Sequence, residues 1–158
     1  KSAIEQVEYY DRLAKTTLES MIASAKEIPN YHVLKSIPGI GENLAARILA
    51  EIGDIERFRG PKQLIAYTGI EPIIYQSGKN DGYHYRISKK GNKRLRTLLY
   101  TAVKCMIRKT TTETSIKQYY HKKTQQENPM NSNAAVIASA NKLIRVIYGM
   151  CKTGCIYQ

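Results

Sequence analysis

No stretch of this sequence approaches the roughly 18 consecutive apolar residues that a membrane-spanning helix needs, and its start lacks the order of a signal peptide. A membrane partner is therefore not expected. Cysteine is scarce. Cys105, Cys151 and Cys155 form an odd set with no matching group of histidines, which argues against a zinc site and against a disulfide framework. Cys151 and Cys155 would face one another across a helical turn only if the terminal segment were helical, and Gly154 argues against that. Thiols used this way fit a reducing, cytoplasmic compartment. Acids are few, 13 against 25 Lys or Arg, and they do not make a metal centre. Glu51, Asp54 and Glu56 cluster, but they read as capping or surface groups beside Arg57 and Arg59. A two-metal nuclease needs carboxylates converging from several elements. No internal repeat and no low-complexity segment emerges.

What remains is a chain of 158 residues, about one domain, with a formal charge of +12. Such a surplus asks for a polyanion: DNA, RNA or an anionic surface. It concentrates from Ser77 to Arg96, QSGKNDGYHYRISKKGNKRLR when Gln76 is included, where seven Lys or Arg stand against one acid, Asp81. Ser77, Arg86, Ser88 and Lys89 are the first candidates for chemistry or close phosphate contact.

Ile4, Val7, Asp11, Ala14, Leu18, Met21, Ala25 and Ile28 recur at spacings of three and four, a mostly apolar seam on one long helix that Pro29 ends. Residues 1–29 are thus expected to be the end of a coiled coil or a linker helix that pairs with another helix. Residues 30–158 form the second unit. The chain starts without an initiator methionine inside a periodic pattern, which reads as part of a larger polypeptide, although processing or tag removal produces the same start. Within Tyr31 to Ile52, a short helix, Pro38-Gly39-Ile40-Gly41 and a second helix read as a helix-hairpin-helix. Its glycines would turn backbone N–H groups outward at a helix start, where a phosphate can sit, with Lys35 and Arg47 flanking it. The same glycine pair also makes ordinary tight turns, and both readings stand at this point.

Gly60-Pro61 opens the next helix, with Leu64, Ile65 and Tyr67 inward. Ile73 to Gln76 and Tyr83 to Ile87 alternate around a polar turn and are expected to pair as a small β-hairpin. The tyrosines there suit a core and also suit stacking on bases. A helix from Lys93 to Arg108 starts with Lys93, Arg94 and Arg96, an unfavourable sign for a helix N-terminus that a bound anion would relieve. A short helix from Ile116 to Lys123 and a final helix capped by Asn133 follow. The expected fold is mainly α: a compact helical domain with a helix-hairpin-helix, a small β-hairpin and a long amino-terminal helix ending a coiled coil.

On residues alone, Ser77 is a turn residue or a phosphate hydrogen-bond donor as readily as a nucleophile, which would need a base and stabilising charge. His84 is the histidine nearest to it in the sequence. The ordered landmarks LKSIPGIGENLAARILAEIG (34–53), FRGPKQLIAYTG (58–69), Pro72, Gln76-Ser77-Gly78 and ISKKGNKRLRTLL (87–99) resemble the carboxyl-terminal transposase domain of DEDD-type insertion-sequence transposases. That group is the RNA-guided bridge recombinase family, related to Piv-type DNA invertases. The resemblance covers roughly two-thirds of the chain.

It implies a prokaryotic DNA transposase or recombinase that cuts and rejoins DNA through a serine–DNA linkage made by Ser77. Arg86 and Lys89 would help at the phosphate, and Lys35, Gly39, Gly41, Arg47, Lys79, Lys90, Lys93, Arg94 and Arg96 would hold nucleic acid. No metal ligand or cofactor is expected in this chain. The resemblance assigns a divalent metal, Mg, to an upstream RuvC-like domain, without which the chain would bind but not recombine. Donor and target DNA, a structured guide RNA and further copies of the chain, joined through the coiled coil, are the implied partners. The alternative is a non-catalytic helix-hairpin-helix module that binds nucleic acid.

Overall fold

Ser2 opens the first helix of the computed structural model, which describes residues 2–72, 87–109 and 112–158. Its hydroxyl accepts from the Glu5 N–H at 3.3 Å, while the Glu5 carboxylate accepts from the Ser2 N–H at 3.1 Å. These reciprocal bonds close the N-terminus of α1 (Ala3–Lys26). Pro29 then stands at the start of α2 (Pro29–Lys35), where its missing N–H has no helical partner to lose. A glycine-containing turn leads into α3 (Glu42–Ile52), and Gly53 stops that helix. A 3-10 turn at Ile55–Arg57, capped by the Asp54 side chain, leads to α4 (Pro61–Thr68), again with proline first. The remaining described helices are α5 (Lys93–Lys109), α6 (Ser115–Gln125) and α7 (Ser132–Thr153).

α7 is the centre of the packing, lying against α2, α4, α5, α6 and the 3-10 turn. Its Leu143, Ile144 and Ile147 are buried with Leu95, Leu99 and Met106 of α5, Leu64 of α4, and Tyr31 and Leu34 of α2. Contrary to the sequence expectation, α7 is long and apolar enough to cross a membrane by length and composition. Its apolar residues are used differently here. Ala135, Val136, Ala140, Leu143, Ile144, Ile147 and Cys151 are buried against neighbouring helices, as expected of a central core helix. The helix stops at Gly154, whose φ of 69° is the left-handed cap that glycine favours. Cys151 is therefore buried in the helix and Cys155 exposed beyond it. At the other end Asn131 caps α7 by accepting from the Asn133 N–H, and Asn133 instead accepts from the Tyr100 hydroxyl.

The β-hairpin of the expected fold class is corrected. Among the described residues there is no strand, and the β pairing consists of one isolated antiparallel bridge between Pro72 and Ile87. Pro72 has no N–H to give a ladder. Beyond the bridge, the N–H groups of Ser88 and Lys89 are taken by the carbonyls of Glu71 and Gly69, at 2.9 and 3.0 Å, which leads the chain back to the end of α4. The strand residues Ile73 to Gln76 and Tyr83 to Arg86 lie outside the described residues, as do Ser77, Lys79 and His84.

The seam of α1 divides into two parts. Met21 and Ala25 pack against the core, whereas Ile4 and Val7 are exposed, at 71% and 69%.

Candidate nucleic-acid interface

The helix-hairpin-helix reading meets two different glycines. Gly39 has φ of 91°, and a Cβ built on it would stand 2.7 Å from Met106 Cγ and 3.0 Å from the Met106 nitrogen. It lets the turn press onto α5. Gly41 is exposed and occupies the cap position of α3 without offering a side chain. The first bond of the helical ladder runs from the Ala45 N–H to the Gly41 carbonyl at 2.9 Å. The N–H groups of Gly41, Glu42 and Asn43 therefore precede the ladder, at the positive end of the helix. Behind them Ile37 and Ile40 are buried, and the Ser36 hydroxyl accepts from the Tyr157 N–H at 2.8 Å, so the carboxyl-terminal tail braces the hairpin.

Glu42 already uses part of this positive end. Its carboxylate accepts from the Lys35 ammonium at 2.7 Å and lies 3.9 Å from that of Lys26. The bond from Lys35, with the charge of Lys26 beside it, holds the Glu42 carboxyl below its usual range. The same bond raises the Lys35 ammonium above its ordinary value.

A second basic region lies on α3 and the start of α5. Arg47 of α3 and Lys93 and Arg94 of α5 line one groove with Tyr10, Leu13 and Thr17 of α1, and Glu51 lies among them. Gly39 touches Met106 near the far end of α5, so the hairpin turn and this basic ledge are about 20 Å apart along that helix.

The ledge is positioned by the turn from Lys89 to Asn92. Asn92 Oδ1 accepts from the Leu95 N–H at 2.9 Å and so caps α5, while its amide donates to the Glu51 carboxylate at 2.8 Å and to the Tyr67 hydroxyl at 3.2 Å. The Asn92 N–H donates to the Tyr67 carbonyl at 2.7 Å. The Asn92 bond, followed by that of Arg57, pulls the Tyr67 hydroxyl below its ordinary pKa. Arg57 lies over the rings of Phe58 and Tyr67, 4.6 Å from each centroid. Gly91 passes so close to the end of α4 that a Cβ on it would meet the Tyr67 carbonyl, with the Gly69 nitrogen at 2.8 Å. Lys89 takes a left-handed φ of 54°, a conformation non-glycine residues seldom adopt.

The expected binding residues thus have different surroundings. Lys89, Lys90, Lys93, Arg94 and Arg47 are exposed, and Lys35 is exposed but paired with Glu42. Arg96 is half-buried and donates to the Thr68 carbonyl at 2.8 Å, which fastens α5 to α4. Ser88 is half-buried, and Ser77, Lys79 and Arg86 lie outside the described residues. Sequence reasoning missed the link among Glu51, Asn92 and Tyr67; Asn92, placed just before a basic helix, was the available signal. The three acids that cluster in the sequence, Glu51, Asp54 and Glu56, are each engaged otherwise. Asp54 caps the 3-10 turn, Glu56 pairs with Lys152 and Glu51 accepts from Asn92. Among the described residues no three His, Cys, Asp or Glu side chains are grouped to hold a metal ion.

Comparison with known proteins adds descent to this geometry. Residues 31–121 match the family described as the transposase IS116/IS110/IS902 family. The transposase for insertion sequence element IS1111A of Coxiella burnetii is 34% identical over 132 residues, 84% of this chain and 35% of that protein. A probable family 20 transposase of Pseudomonas aeruginosa is 28% identical over 90% of this chain and 44% of its own length. A pilin gene-inverting protein of Moraxella lacunata is 37% identical over 45% of this chain and 23% of its own length. The chain thus spans about a third to under half of the two transposases. These organisms are bacteria, which supports a bacterial origin for the chain.

The expected function requires a correction. These matches point to DEDD-type transposases, whose chemistry belongs to an acidic metal centre rather than to serine-recombinase chemistry. The described residues supply no such centre, and the serine-linked cutting and rejoining expected of Ser77 is not retained. The findings favour the alternative stated from the sequence, a non-catalytic nucleic-acid-binding module.

Proposed function

Because the chain belongs to the IS116/IS110/IS902 transposase family, we propose that it is the part of a DNA transposase or recombinase that grips nucleic acid and that it does not itself cut DNA. The observation that carries this reading is the convergence of Arg47 from α3 with Lys93 and Arg94 from α5 on one groove, on the helix that begins at the Gly41 amides. A phosphate at those amides gains the positive end of α3, and phosphates farther along the backbone gain the ledge. Lys89 and Lys90, exposed beside the ledge, extend it. Residues 30–158 form the gripping unit, and Gly39 serves it by seating the hairpin on α5.

The exposed part of the α1 seam is assigned to a coiled coil, through which further copies would join. Metal chemistry is assigned to sequence that the longer relatives carry outside the matched region. Donor and target DNA are the ligands in this reading, with a structured guide RNA as a further partner.

The test is a binding titration of the chain with a labelled DNA duplex and a structured RNA over a range of salt. Contact with several phosphates predicts a logarithmic salt slope of about −0.9 for each phosphate neutralised on B-DNA. Arg47→Gln combined with Arg94→Gln should make that slope shallower by about two. Binding by the parent that is indifferent to salt, or an unchanged slope in the variant, would remove the ledge from the interface.

A further inference from the structure

The charge of this chain is distributed unevenly. From Lys93 to the end it carries twelve Lys or Arg but only two acids, Glu113 and Glu127. Glu113 is engaged by Lys117 at 3.3 Å, and Glu127 lies in the exposed link between α6 and α7. Among the described residues, no carboxylate pairs with Lys122, Lys123, Lys142 or Arg145 on the outer flank of those two helices. Tyr119 stands at the middle of this flank. The Lys123 ammonium, one turn along α6, is 5.5 Å from its ring centroid, and the Lys142 ammonium of α7 is 5.2 Å away. Lys142 also donates to the Ser115 carbonyl at 2.9 Å. Helical spacing brings Lys122 to the same side of α6 as Tyr119, and Arg145 to the same side of α7 as Lys142.

The negative end of α6 accounts for Lys122 and Lys123 in its last turn. It does not account for Lys142 and Arg145, which stand in the interior of α7. Two ammonium groups held around one ring repel each other, and the ring face offsets only part of that repulsion. An anion near both would remove the rest. The lysines also meet such an anion with part of their side-chain freedom already lost, so less ordering is needed on binding.

We propose that the flank formed by Tyr119, Lys122, Lys123, Lys142 and Arg145 is a second nucleic-acid backbone site, distinct from the hairpin and ledge. α6 packs on α5 and α7, whereas the ledge groove is built from α1, α3 and the first turns of α5. The site takes phosphodiester backbone, with Tyr119 as a positioning residue that holds the two lysines. This inference rests on the gripping function proposed above and extends it from one strand path to two.

The experiment is fluorescence anisotropy of the chain with three labelled probes, a DNA duplex, single-stranded DNA and an RNA hairpin, each over a salt series. Lys123→Gln with Lys142→Gln should weaken at least one probe about tenfold and make its slope shallower by roughly 1.4 to 1.8, on top of any loss from Arg47→Gln with Arg94→Gln. The probe that loses most identifies the strand. Tyr119→Phe should keep the parental slope, and Tyr119→Leu, checked for native helicity by circular dichroism, should lose part of it. If the parent binds steeply and the double lysine variant keeps its slope on all three probes, the second site is overturned and the ledge stands. If the parent binds none of them, both readings are overturned.

Discussion

The amide of Asn92 donates to the carboxylate of Glu51 across 2.8 Å, joining residues 41 positions apart. Through this bond the last turn of α3 fixes the point from which α5 starts. Lys93 and Arg94, immediately after Asn92, are thereby held opposite Arg47.

Asn92→Ala removes the cap from Leu95 and the bonds to Glu51 and Tyr67, and should cost about 1–2 kcal/mol in urea unfolding. The same change should return the Tyr67 hydroxyl toward its ordinary, higher pKa, because the Asn92 bond is the foremost cause of its lowering. Carbon-13 tyrosine shifts followed against pH would show this, and an unmoved Tyr67 would contradict the assigned cause.

Two glycine substitutions should have opposite effects. Gly91→Ala forces a methyl group against the backbone of Tyr67 and Gly69 and should destabilise by about 1–3 kcal/mol. Gly149→Ala enters open space inside α7 and should stabilise by about 0.5–1 kcal/mol. Denaturation midpoints distinguish them.

Glu42→Gln should strengthen nucleic-acid binding, since it frees Lys35 and removes a negative charge from the start of α3. Removing that charge should raise affinity by up to roughly fivefold. The variant should also alter the acid limb of the stability curve. The folded Glu42 pKa is depressed, so its contribution is present above the unfolded value near 4.5 and is lost as pH falls through the lower folded value. Unfolding curves of the parent and the variant should therefore converge toward low pH.

Arg96 and Arg94, neighbours in sequence, should separate stability from binding. Arg96→Lys loses the guanidinium bond to the Thr68 carbonyl and should cost about 1 kcal/mol while sparing the salt slope. Arg94→Gln should leave stability within about 0.5 kcal/mol and make the slope shallower by about one. The reverse pattern would exchange their roles.

At pH 8, iodoacetamide should label exposed Cys155 and leave Cys151 unmodified until the chain unfolds. Burial pushes the Cys151 thiol up to about 11, so little reactive thiolate forms there. Peptide mass mapping before and after denaturation reads the difference.

The helices were legible wherever a local rule applied. Pro29 and Pro61 marked helix starts, Gly39 and Gly41 marked the hairpin, and the spacing of Leu95, Leu98, Leu99 and Ala102 marked the buried side of α5. Residues whose partners lie far along the chain were not legible. Nothing local in Arg96 says that it ends on the Thr68 carbonyl, and nothing local in Glu51 names Asn92. The alternation of Tyr83, Tyr85 and Ile87 fits a strand. Yet the described backbone at Ile87 turns back to Gly69, and Tyr83 and Tyr85 lie outside the described residues. Lys142 and Arg145 break the apolar run of α7, although its average composition is that of a core helix. Of the candidate site, the ledge and the hairpin were anticipated as residue types. Their separation along α5 required the fold.

α1 is about 36 Å long at the usual helical rise, and it is fixed to α2 and α3 toward its carboxyl end. Such a rod acts as a lever with its fulcrum beside the hairpin. A force applied near Ile4 becomes torque on the two helices that frame Gly41, so a coiled-coil contact of the kind proposed for α1 would change the angle at which the hairpin is presented.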